Sequence, residues 1–144
     1  TAIPYTCGVI ATLLVARSAD RMRERRWHFA IASALGGLGL FLSTVYGDNV
    51  VLALMALSLG TAGMLSTMPV FWTYPSAILG GAAAAAGIGL INSVGNLAGF
   101  VSPTIVGWLK DVTGSTNAGM YFVAGALVLG ACLALLQPRS LVNK

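Results

Sequence analysis

Apolar residues run along this chain in long blocks separated by short polar breaks, and they do not alternate with a period of two. Five blocks stand out: Thr1 to about Ala16, about His28 to Tyr46, about Val50 to Thr73, about Ala82 to Leu109, and about Ala118 to Gln137. Each of the last four holds the ~17–25 residues, or slightly more, that carry a helix across a ~30 Å hydrocarbon core; the first is short. In lipid, backbone polar groups must be paired within a helix or around a closed barrel, and the lack of two-residue alternation selects helices. The breaks carry turn chemistry: Gly47-Asp48-Asn49, Tyr74-Pro75-Ser76 with Gly80-Gly81, and Thr113-Gly114-Ser115. The pattern predicts an all-α integral membrane protein, a polytopic helical bundle of five spans with a charged loop over residues 17–27.

Composition sharpens this. Only 8% of the residues are charged and 57% are hydrophobic, whereas a soluble domain carries roughly 25% charged residues to wet its surface. From Asn49 through Leu109 there is no Asp, Glu, Lys or Arg. As a single helix that stretch would be roughly three times the thickness of the hydrocarbon core, so it must turn back on itself. The cations fall on one side. Residues 17–26 hold five arginines, and Arg139 and Lys144 follow the last span, against Lys110 alone on the other side. The bias places the arginine loop and the C-terminus in the cytoplasm, four crossings apart, as five spans require. The uncharged turn near Pro75 then falls on the cytoplasmic side too. Trp27, Tyr46 and Trp108 near span ends suit an interfacial aromatic belt. The net charge of +4 is thereby explained as membrane orientation, with a lipid bilayer and not a nucleic acid as partner. The expected location is the cell (inner) membrane, multi-pass. No basic region or cleavage site precedes the first apolar run, so a signal peptide is not expected, and the start at Thr1 instead of Met implies that residues are missing upstream or that the chain was cut.

Candidate chemistry is sparse. Cys7 and Cys132 lie in apolar runs without metal-ligand spacing, and His28 stands alone at a span edge. No nucleophile triad, phosphate loop or metal cluster is visible, so neither an enzyme nor a metal or cofactor is expected. Polar groups within spans are costly and call for a reason. In the fourth block Asn92 and Asn96 are four apart, and Gly95, Gly99 and Pro103 continue roughly the same helical face. This stripe either packs against a neighbouring helix, with Gly95-x-x-x-Gly99 permitting close approach, or lines a water-filled cavity. The third block ends in Met68-Pro69-Val70-Phe71-Trp72-Thr73-Tyr74-Pro75. Prolines near a span end weaken the helix, and such breaks adjoin transporter binding sites, although aromatics there also serve as interface anchors.

The arginine loop resembles the major facilitator superfamily, whose loop motif reads Gly-x3-Asp-Arg/Lys-x-Gly-x-Arg/Lys-Arg/Lys. Asp20, Arg21, Arg25 and Arg26 fall at its charged positions, while Ala16 and Arg23 stand where the motif has glycine. The superfamily carries a full copy between helices 2 and 3 and a decayed copy between helices 8 and 9, and a partial match fits the second. The resemblance implies a cytoplasmic charge latch, with Asp20 at a helix end and the arginines pairing between the two halves; for Arg17 and Arg23, topology-setting charge is the alternative. Phe71-Trp72, the run from Ile91 to Pro103, and Gly107-Trp108-Leu109-Lys110-Asp111-x-Thr113-Gly114 are similar to the anion:cation symporter branch.

That resemblance covers essentially the whole chain and implies helices 8 to 12, in the C-terminal half of a major-facilitator-type transporter. The first two would belong to one three-helix repeat and the last three would form another. It implies contacts to a small organic anion (a sugar acid, dicarboxylate or aromatic acid) by Trp72 and Asn92, with Asn96 beside them, and transport coupled to protons by alternating access. The N-terminal half is the implied partner. An anion in a low-dielectric cavity needs a cation or several donors, and no Arg or Lys lies inside a span here. The cation and the titrating carboxylates are therefore expected in that other half. A drug or metabolite exporter of the same superfamily and a small non-transporting membrane subunit are the alternatives.

Overall fold

The computed structural model describes residues 2–142. Five long helices follow one another, α1 (Ala2–Met22), α2 (Arg25–Val45), α3 (Val50–Ile78), α4 (Gly81–Thr113) and α5 (Asn117–Leu136), and a single turn, α6 (Arg139–Val142), closes the described chain. All five long helices are long and apolar enough to cross a membrane. The protein is a multi-pass helical membrane protein.

Two breaks differ from their sequence expectation. The segment expected as a loop over 17–27 is helical at both ends, and only Arg23 and Glu24 lie between α1 and α2. Arginine is a good helix former, so charge ends the membrane crossing without ending the helix. Arg23 makes the reversal with φ of 49°, a left-handed conformation that suits glycine. The expected turn at Tyr74-Pro75-Ser76 is instead part of α3, which runs through Pro69 and Pro75 and stops at Leu79 and Gly80. Every serine and threonine of α3 donates its hydroxyl to a carbonyl three or four residues back, which leaves none of these hydroxyls unpaired in lipid.

The other ends follow local rules. Asn49 caps α3 by accepting from the amides of Val51 (3.1 Å) and Leu52 (3.2 Å). Gly114 ends α4 in the left-handed region, φ 69°, with its N–H donating to the Lys110 carbonyl. Gln137 ends α5 in extended conformation, as the residue before a proline prefers.

α2 is the hub of the bundle, packed against α3 on one side and α5 on the other, while α1 lies along α3. The crossings are made by small residues. A Cβ added at Gly39 would lie 2.6 Å from Gly60 Cα and 2.7 Å from the Ala56 carbonyl, and one at Gly63 would lie 2.6 Å from Gly36 Cα. The α2 and α3 backbones are therefore in direct contact. Towards α5, Gly37 faces the Ala124 carbonyl, and buried Ser33 donates to the Leu127 carbonyl at 2.6 Å. Without a hydrophobic effect between helices in lipid, close backbone approach and interhelical hydrogen bonds hold such a bundle together. α4 is different: it has no buried residue and is seated only at its ends, where Leu79 lies over Gly87 and Val106 over Gly119.

Candidate functional site

The first candidate region is the middle of α4. Asn92, Asn96, Gly95 and Gly99 are all exposed, and nothing lies within 4 Å of the position a Cβ would take at either glycine. The residues of α4 that are partly covered, Ala84, Gly87, Ile88 and Ile91 towards its start and Ser102, Ile105, Val106 and Leu109 towards its end, form another stripe. The Asn92–Asn96–Gly99–Pro103 line sits about 100° round the helix from it. No helix of this chain covers the amides among the described residues, so the reading in which they pack against a neighbouring span has no partner here.

The second region is the end of α3. Trp72 lies edge-on to Phe71, ring centroids 5.5 Å apart, and with Arg25, Pro69, Thr73, Ser76 and Ala77 it lines an open cleft of about 380 Å³. The cleft contains no α4 residue. Trp72 therefore faces the arginine end of the bundle, and no described pocket or hydrogen bond joins it to Asn92 or Asn96.

The third region is that arginine end. The C-termini of α1, α3 and α5 and the N-terminus of α2 meet there, together with α6, so the arginine turn and the tail lie at one end of the bundle. Asp20 and Arg25 line a small crevice with Ala16, Ala19, Pro69, Val70 and Thr73. Arg21 is exposed. Arg26 Nη1 donates to the carbonyls of Leu135 (3.2 Å) and Gln137 (2.9 Å), and Arg25 Nη1 reaches the Val142 carbonyl at 3.5 Å. Tyr74 donates its hydroxyl to the Arg25 carbonyl at 3.3 Å, and the rings of Phe29, Phe71 and Tyr74 form a mutual cluster. His28 joins α1 to α2: its Nε2 is 2.9 Å from the Ser18 hydroxyl, and its Nδ1 bonds the Glu24 carbonyl. His28 thus links two helices at a span edge.

Sequence reasoning did not single out Gly36, Gly39, Gly60, Gly63 or Ser33, which make the central crossings. The spacings Gly36-Gly37-x-Gly39 and Gly60-x-x-Gly63 were visible, but nothing local shows which glycines meet. Among the described residues no group of three or more His, Cys, Asp or Glu could hold a metal ion.

No family profile matches the chain, and no solved structure matches it significantly. Curated proteins do. A protein of Agrobacterium vitis bearing a tartrate-transporter name is 45% identical over 139 residues, which is 96% of this chain and 31% of that protein. A quinolone resistance transporter of Acinetobacter baumannii is 44% identical over 133 residues, 92% of this chain and 30% of that protein. The inner membrane transport protein RhmT of Escherichia coli is 35% identical over 133 residues, again 92% of this chain and 30% of that protein. The chain thus spans about a third of the length of the curated relatives it matches. Similarity to named transporters along almost the whole chain, joined to five membrane-length helices and the Asp20-Arg21…Arg25-Arg26 turn, shows that the chain belongs to the major facilitator superfamily of transporters.

Proposed function

We propose that this chain is part of the C-terminal half of a secondary transporter of the anion:cation symporter branch that moves a small organic anion, a sugar acid, dicarboxylate or aromatic acid, across the inner membrane. The observation that carries the reading is the uncovered line of Asn92 and Asn96 on α4, the one long helix without a buried residue. Two amides in a span are retained at a cost, and in this chain they serve no packing contact. They suit one wall of a water-filled cavity, where each amide can donate to a carboxylate. Similarity to a protein with a tartrate-transporter name supports an anionic substrate.

Movement then follows from rocking of two helical halves around a site near the bilayer midplane. The hub of α2, α3 and α5 has the direct backbone contacts expected of one rigid unit, with α4 as its face toward the cavity. Trp72 lies nearer the cytoplasmic end and would meet the substrate there. The cation that balances the anion and the carboxylates that couple transport to protons belong to the rest of the protein. The arginine turn and the tail face the cytoplasm, on the positive-inside bias.

The test is uptake of labelled tartrate, a sugar acid and an aromatic acid by the whole protein in proteoliposomes, with and without an inward proton gradient. Gradient-dependent uptake of one of them is expected. A second reading, drug export, is favoured by the similarity to the quinolone resistance transporter. Quinolone efflux with no uptake of any of the three acids would replace the first reading with it.

A further inference from the structure

Arg25 and Arg26 occupy the first turn of α2, which contains no acidic residue. A helix N-terminus carries a partial positive charge, so two cations there oppose the dipole of their own helix. The carbonyls they reach belong to other elements. Pro138 stops α5 and has no N–H to offer, and the last carbonyls of a helix have no partner within it. The Leu135 and Gln137 carbonyls both accept from Arg26 Nη1, at 3.2 and 2.9 Å, and the Val142 carbonyl faces Arg25 Nη1 at 3.5 Å. The cations thus sit at the unfavourable end of their own helix and at the favourable end of α5. Beyond Pro138 the chain folds back as α6, whose Val142 is 0% exposed against the bundle.

We infer that Arg26, assisted by Arg25, is a clamp within this part of the protein: it caps the end of α5 and straps the tail, through α6, across the cytoplasmic end of α2 and α3. This differs from the latch between halves that the loop motif implies, because the guanidinium bonds described here are to carbonyls of the same chain. The clamp ties the α1–α2 turn to the tail, so the two move together. The inference does not depend on what is transported.

Arg139 is exposed and gives trypsin a site inside the strap. The experiment is cleavage after Arg139 in inside-out membrane vesicles holding the whole protein, followed by mass spectrometry. Arg26→Gln is expected to speed cleavage on the order of tenfold, through local opening of the tail, and Arg26→Lys by less. Val142→Asp, which leaves both arginines in place, is expected to release the strap to a similar extent and serves if the arginine variants fail to accumulate. The double variant Arg26→Gln/Val142→Asp is expected to be cleaved no faster than the faster single one, since both open the same strap. Cleavage of Arg26→Gln or of Val142→Asp at the wild-type rate overturns the clamp, as do effects that multiply in the double variant.

Discussion

The contact between α2 and α3 at Gly39 can be perturbed by a single methyl group. In Gly39→Ala the new Cβ would stand 2.6 Å from Gly60 Cα and 2.7 Å from the Ala56 carbonyl, where ordinary contact begins at 3.4 Å. Both neighbours are backbone, so no side chain can swing aside. The helices must part by about 1 Å, a gap that forfeits up to about half the dispersion attraction of the atoms it separates. Overpacking of this kind costs about 1–3 kcal/mol, and the rigidity of the neighbours puts this site near the upper end. Against that, alanine favours the helix over glycine by about 1 kcal/mol. The net expectation is a loss of about 2 kcal/mol, roughly 30-fold in the folding equilibrium. Gly125→Ala is the control, because an added Cβ there meets nothing within 4 Å; only the propensity gain of about 0.5–1 kcal/mol should remain. Equilibrium unfolding of the protein in mixed micelles, titrated with a denaturing detergent, measures both. If Gly39→Ala proves as stable as the wild type, or Gly125→Ala loses as much, the direct-contact argument is refuted.

Three further perturbations follow from the same geometry. Ser33→Ala removes the buried bond to the Leu127 carbonyl between α2 and α5, and the same unfolding titration should show a loss of about 0.6–1.7 kcal/mol. Arg23→Gly relieves a left-handed residue, so a gain of about 1 kcal/mol is expected; a loss would mean that the arginine side chain matters more than its backbone strain. Asn92→Leu sits on an uncovered face and should change stability by less than about 0.5 kcal/mol while reducing substrate uptake at least about tenfold, the value of one hydrogen bond to a charged group. A variant that transports normally but unfolds more easily would return Asn92 to helix packing.

Much of the bundle is legible in the residues themselves, because membrane insertion is a nearly local problem. A run of about 20 apolar residues spans the bilayer whatever its neighbours are, so the five helices and their all-α character follow from hydropathy. Asn49 and Gly114 announce a helix start and a helix end through their own side-chain and backbone chemistry. The placement of the arginine turn and the tail at one end follows from parity. Two boundaries depart from the sequence pattern for one reason. A proline deletes one hydrogen bond and an arginine deletes none, and a long helix absorbs both, so α3 passes through Pro75 and the charged segment after Ala16 continues α1.

Tertiary structure alone decided the rest. Glycines occur in all five long helices, but only those at crossings touch backbone; Gly95 and Gly99, the pair with the most recognisable spacing, face open space, and the pairing of Gly39 with Gly60 depends on the angle at which two distant segments cross. Arg26 reads in the sequence as a loop-motif residue pairing between the two halves, yet its guanidinium lies on carbonyls of this same chain more than 100 residues away. The sequence leaves Asn92 and Asn96 open between packing and cavity, and the fold adds that no helix of this chain covers them among the described residues. Hydropathy, capping and charge bias are properties of a segment and its solvent, whereas close approach and capping between helices are properties of pairs that only the folded bundle brings together.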